Sequence, residues 1–152
     1  MNKCIVTVVV LVLFAGVAQA ETLLETSGDW FEPANWSDGV PTATLEAKIG
    51  GGLVADIDAA GGEAGRVLIG TDTDGGILNI DDDGVLSVTS PNSPSSHIAA
   101  GAHTQGALNL DGGSLTLSHQ LHIATDAGSA GVVNLNSGSF SMQTSGNGAV
   151  TV

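Results

Sequence analysis

Tyrosine is absent from this chain, and only two tryptophans and three phenylalanines stand among its 152 residues. A core that leans on bulky rings is therefore excluded, and the interior must be assembled from Leu, Ile, Val and Ala. The one cysteine is Cys4, so no disulfide forms within the chain. Positive charge is nearly as scarce: three Lys and Arg face 16 Asp and Glu, for a formal net charge of −13. Nucleic-acid binding rests on cations that neutralise phosphates, and adsorption to anionic lipid rests on basic clusters, so both are excluded. The apolar run from Ile5 to Ala15 is shorter than the about 18 residues a membrane-spanning helix requires.

That run has a different use. Lys3 supplies a positive start, Ile5 to Ala15 is apolar apart from Thr7, and Ala18-Gln19-Ala20 is a small-x-small cleavage site. Residues 1–20 are therefore expected to be a cleaved signal peptide, and the protein to be exported to the extracellular space or cell surface. Cys4 leaves with the signal, and Glu21 rather than a lipid-bearing cysteine becomes the first mature residue. The mature chain keeps two cations, Lys48 and Arg66, and its net charge falls to near −14. Its stability must come from burial and backbone hydrogen bonding alone.

What the chain has in quantity is glycine, 22 residues of it, and a pattern written three times. The copies are Gly76-Ile77-Leu78-Asn79-Ile80 to Val88, Gly106-Ala107-Leu108-Asn109-Leu110 to Leu117, and Gly131-Val132-Val133-Asn134-Leu135 to Met142. Each runs through a Gly-bearing turn into a second apolar alternation. A recurring unit of this length with a period of two in its apolar residues indicates stacked short strands rather than helices. Alternation puts Leu108 and Leu110 on one face and Asn109 on the other, with the same division in the sister copies. A further segment recurs as Arg66-Val67-Leu68-Ile69-Gly70, Ser96-His97-Ile98-Ala99 and Leu121-His122-Ile123-Ala124. Each rung is thus expected to hold about three short strands, with Asn79, Asn109 and Asn134 in one column. Thr89 to Ser96, rich in Ser and Pro, is a loop by composition.

The expected fold is all-β, a parallel β-helix (β-solenoid) with an N-terminal cap over residues 21–47 and repeats over residues 48–152. The cap segment holds Trp30, Trp36, Pro33 and Pro41 and lacks the repeat. An open solenoid end exposes apolar core and unpaired strand edge, so terminal units are atypical. The two tryptophans are expected to cover the first rung; the alternative is a glycan-contact platform formed by Trp30 and Trp36.

The Trp…Asn-Trp…Gly-Val-Pro opening, followed by Gly-x-Leu-x-[Ile/Leu]-x-x-Gly-x-Leu units ending in x-Ile-[Ala/Gly], resembles secreted bacterial repeat proteins. These are autotransporter passenger domains and surface proteins carrying a C-terminal sorting signal. The resemblance implies a right-handed parallel β-helix, displayed as an adhesin, a matrix component or an enzyme-bearing stalk. The chain has no barrel, sorting helix or cell-wall motif at its end and stops at Gly148-Ala149-Val150-Thr151-Val152, as the N-terminal part of a longer protein would.

Candidate chemistry is sparse. His97 and His122 occupy equivalent places and are expected to point outward and stack, but no third ligand is visible, so a solvated polar ladder is expected rather than a metal centre. The acidic turns at Asp72 and Asp74 and at Asp81 and Asp83 are the only places for Ca2+. Neither completes a calcium loop, and Asp and Gly serve turns equally well, so no cofactor is expected. Enzymes on this fold resemble pectate lyases or polygalacturonases. Lyases of that kind use Arg or Lys to take a proton, leaving Arg66 and Lys48 as candidates; hydrolysis needs two carboxyl groups on one face. Asp81, Asp111 and Asn136 are expected at the same turn of three rungs, which a repeated turn residue explains. There is no nucleophile elbow, phosphate loop or dinucleotide fingerprint. The expectation is therefore a structural or adhesive segment, not an enzyme. Its partners would be extracellular polysaccharide or other surface proteins, with no membrane insertion of the mature chain. The alternatives are a carbohydrate-binding module using Trp30 and Trp36 and a fragment of a polysaccharide-active enzyme.

Overall fold

A computed structural model describes residues 20–89, 95–143 and 150–152. The expected signal peptide, most of the Ser/Pro-rich loop, and residues 144–149 lie outside the described residues. The rest is a parallel β-solenoid of about five turns, with three faces per turn. The first face stacks β1 (Glu21–Leu23), β3 (Glu46–Ile49), β6 (Arg66–Ile69), β9 (Ser96–Ile98), β11 (Leu121–Ile123) and β13 (Val150–Thr151). The second stacks β2 (Gly28–Asp29), β4 (Leu53–Ile57), β7 (Gly76–Asp81) and the first halves of β10 (Gln105–Leu117) and β12 (Ala130–Met142). The third stacks β5 (Gly62–Ala64), β8 (Val85–Val88) and the second halves of β10 and β12. In the last two full turns the expected second and third strands are thus one long strand, bent over a bulge at Asp111.

Alternation behaves as the pattern implies. In the β9–β10 turn Ile98, Leu108, Leu110, Leu115 and Leu117 are buried, each contributing about 1.5–3 kcal/mol of burial. Asn109 and Thr116 between them are half-buried on the outer surface. Asn79, Asn109 and Asn134 are direct register partners. The column extends one rung further than the repeat suggests. Asn134 Nδ2 donates to Asn109 Oδ1 (2.7 Å), Asn109 Nδ2 to Asn79 Oδ1 (2.8 Å), and Asn79 Nδ2 to Asp56 Oδ1 (2.8 Å). Successive partners are 25, 30 and 23 residues apart, so loops of unequal length are absorbed at the corners while the strands stay in register.

One corner explains the recurring small residues. After the first face the chain turns through left-handed backbone at Gly70 (φ 72°), Ala99 (φ 59°) and Ala124 (φ 49°). At each, the amide still donates to the rung before: Gly70 to Ile49 (2.7 Å), Ala99 to Ile69 (2.7 Å) and Ala124 to Ile98 (2.9 Å). Gly76, Gly106 and Gly131 stand first or second in the next strand, where neighbouring atoms press close. A Cβ on Gly106 would lie 2.7 Å from both Ala99 N and Ile69 O.

At the N-terminal end β1 already belongs to the stack, and the expected boundary at residue 47 falls inside β3. A bridge between Leu24 and Trp36, with Ser37 N donating to Leu23 O (2.9 Å), runs antiparallel along the outer edge of β1. At the other end, among the described residues, only β10 pairs with β12. The half-exposed Val132 (49%) and Leu135 (55%) lie there.

The left-handed corner generates a paired prediction. Ala99→Gly relieves backbone strain of about 1–2 kcal/mol, partly offset by the greater freedom of glycine in the unfolded chain, for a net gain of up to about 1 kcal/mol. Gly70→Ala places a methyl into the Gln105 carbonyl and costs about 2 kcal/mol or more. Thermal or urea melts of the two variants should move in opposite directions; a loss of stability in Ala99→Gly would refute the account of the corner.

Candidate functional site

The outward surface of the first face gathers most of the chain's ionisable variety. Glu46 and Lys48 are two apart on β3 and so point the same way. Arg66 is the register partner of Glu46 on β6. Arg66 Nη1 sits 2.9 Å from Glu46 Oε2, and Lys48 Nζ is 3.6 Å from Glu46 Oε1 and in close contact with Glu21. Arg66 Nε also donates to the Ser95 carbonyl (2.6 Å). Both candidate bases are thereby held in a Glu21–Lys48–Glu46–Arg66 chain, at whose centre Glu46 is buried. The sequence carried a signal for this: a strand with acid and base at i and i+2 sets both on one face.

Further along the same surface His97 and His122 are direct register partners, with ring centres 4.7 Å apart and planes at 65°. Burial lowers the His97 pKa below the ordinary imidazole value, assisted by the Arg66 and His122 charges. His122 Nε2 lies 3.2 Å from Gln120 Oε1, which also accepts from Ser95 Oγ (3.3 Å). Gln120 was not singled out by its sequence context.

Of the acidic turns, the first is tied to backbone through Asp72. Both carboxylate oxygens of Asp72 accept from Gly51 N (2.9 and 2.7 Å), and Oδ1 also accepts from Asp74 N (3.2 Å). Asp81, Asp82 and Asp83 are exposed on the second corner. Asp81 and Asp111 are register partners, as the repeat implies. Asn136 is not in that column: β12 bulges after Leu135, and Ser137 takes the place opposite Asp111, donating to its Oδ1 (3.3 Å). Reading three rungs at constant spacing missed the inserted residue. Slight burial first, then the charges of Asp56, Asp111, Asp82 and Asp58, raise the Asp81 pKa above the ordinary aspartate value. No group of three or more His, Cys, Asp or Glu among the described residues is arranged to hold a metal ion.

Trp30 and Trp36 lie in the core, at 0% and 4% exposure. Their rings meet edge to face, centres 4.9 Å apart at 72°, and Trp36 Nε1 donates to the Trp30 carbonyl (2.9 Å). Trp30 N in turn donates to Asp56 O (2.8 Å), tying the pair to the first complete rung. Stacking on a sugar needs an open ring face, and neither ring presents one. The Trp30 indole N–H is buried without a hydrogen-bond partner among the described residues.

Two measurements follow. Trp36→Ala removes a buried ring and its hydrogen bond and should cost about 3–5 kcal/mol; an unchanged melt would show that the rings do not carry the N-terminal packing. Asp81 is protonated more readily in the folded chain than in the unfolded one, so its ionisation weakens the fold as pH rises through the raised pKa. Asp81→Asn should therefore raise the melting temperature at pH 7, with the advantage fading below pH about 4. A stabilisation independent of pH would remove charge repulsion as its cause. No protein-family model, curated protein or solved structure matches the chain, so the assignment that stands is the architectural one, a parallel β-solenoid.

Proposed function

We propose that the chain is an exported structural or adhesive β-solenoid segment of a bacterial surface or extracellular matrix protein, with no catalytic activity of its own. The observation that carries this reading is the Asp56–Asn79–Asn109–Asn134 ladder. A column of amides spent on one another gives cohesion along the axis, which serves a spacer or a display surface. The two cations support it as well. Abstraction of a proton by Arg66 would require release from both Glu46 and the Ser95 carbonyl, and Lys48 is held between two carboxylates.

Incubation of the purified chain with polygalacturonate and neutral glucans, followed for unsaturated uronide and new reducing ends, separates the readings. The expected result is no product and no difference between the native chain and Arg66→Gln. Antibody against the folded segment should label intact producing cells. Product release that Arg66→Gln or Glu46→Gln abolishes would make the protein a polysaccharide-active enzyme. Labelling only after lysis would overturn export.

A further inference from the structure

The first-face surface carries one arrangement that the structural role does not use. His97 and His122 stand opposite each other on adjacent parallel strands, on a face made rigid by stacking above and below. We propose that this pair is a surface binding site for a divalent transition ion of the copper, nickel and zinc class, with Gln120 as its positioning residue.

The geometry supports the assignment in three ways. An ion with metal–nitrogen bonds of about 2.0–2.1 Å requires two nitrogens roughly 3 Å apart. The two rings have centres 4.7 Å apart on register partners of adjacent strands, which sets their nitrogens within a small adjustment of that spacing. Secondly, the amide oxygen of Gln120 accepts but cannot donate, so the 3.2 Å contact places the proton of a neutral His122 on Nε2. The lone pair then sits on Nδ1. An imidazole that gives one N–H to an oxygen and offers the other nitrogen is the arrangement metal-binding histidines adopt. Thirdly, Arg66 is paired with Glu46 at 2.9 Å, and the Glu46 and Asp126 carboxylates act on His97 against the Arg66 charge, which offsets part of its repulsion of an incoming ion.

Imidazole nitrogen selects copper, nickel and zinc over calcium and magnesium, which prefer oxygen. With two protein ligands the remaining coordination positions stay with water or an outside donor. Micromolar rather than nanomolar affinity is therefore expected. The repeat put the two histidines in equivalent places; the parallel register and Gln120 turn them into an oriented pair.

The test uses the full chain with Cys4→Ser in every sample, so that no thiol competes. Calorimetric titration with Cu(II), Ni(II) and Zn(II) chlorides in a non-coordinating buffer should give saturable binding of a single ion per chain. The Cu(II) complex should show nitrogen hyperfine structure from two imidazoles. His97→Ala and His122→Ala should each weaken binding at least about tenfold, and Gln120→Ala by about tenfold, as for orienting partners elsewhere. His103→Ala and His119→Ala should leave it unchanged. His97→Asn and His122→Asn, with circular-dichroism melts, separate loss of ligand from loss of fold. Absence of saturation up to millimolar Cu(II), or binding retained when both His97 and His122 are replaced, would overturn the proposal.

Discussion

Everything in this molecule depends on turning a corner without losing a hydrogen bond. A three-faced coil must bend its backbone sharply on every turn, yet each amide there still has to find the carbonyl of the rung before. The corner after the first face does both with one left-handed residue, Gly70, Ala99 or Ala124, whose N–H stays bonded one rung back. At the same corner Gly76, Gly106 or Gly131 stands first or second in the next strand, packed too tightly against its neighbours for a side chain. The high glycine content thus reports corners, and the scarcity of aromatics follows from the narrow interior the corners enclose.

Once the corners hold, like stacks on like. Inward positions form aliphatic columns, and outward positions form polar ones: the ladder starting from Asp56, the Thr116–Ser141 hydroxyl contact, and the histidine pair. A polar column on a stacked sheet is satisfied from within when its members are amides or hydroxyls. Carboxylates fare less well there: burial first, and then the neighbouring aspartates, raise the Asp81 pKa. In the Glu21–Glu46–Arg66 column two carboxylates are register partners, and Arg66 from the next rung and Lys48 from the strand of Glu46 supply the cations that offset them.

The two ends differ. The first rung is closed by the Leu24–Trp36 bridge, the Trp30–Trp36 pair and the segment through Gly39, whose carbonyl accepts from Thr22. Burying both rings there concentrates the chain's few large side chains where a stacked neighbour is lacking. Functional reading moves accordingly, from the tryptophans to the outward columns of the first face.

By itself the sequence determined what is local and periodic. Alternation of two assigned inward and outward residues, recurring glycines marked the corners, and the threefold Asn placed a column, because each of these depends only on neighbours along the chain. Register between rungs is set by closure of the whole coil, so only the tertiary structure decided which columns meet. Spacings of 23, 30 and 25 residues brought Asp56 beneath Asn79 and kept the Asn column in line, and one of 20 residues set Arg66 against Glu46. A single bulged residue displaced Asn136 and put Ser137 opposite Asp111. Gln120 beside His122 was illegible because an undistinguished residue at a strand entry acquires a role only from its side-chain contacts, here with His122 two residues on and Ser95 of the rung before.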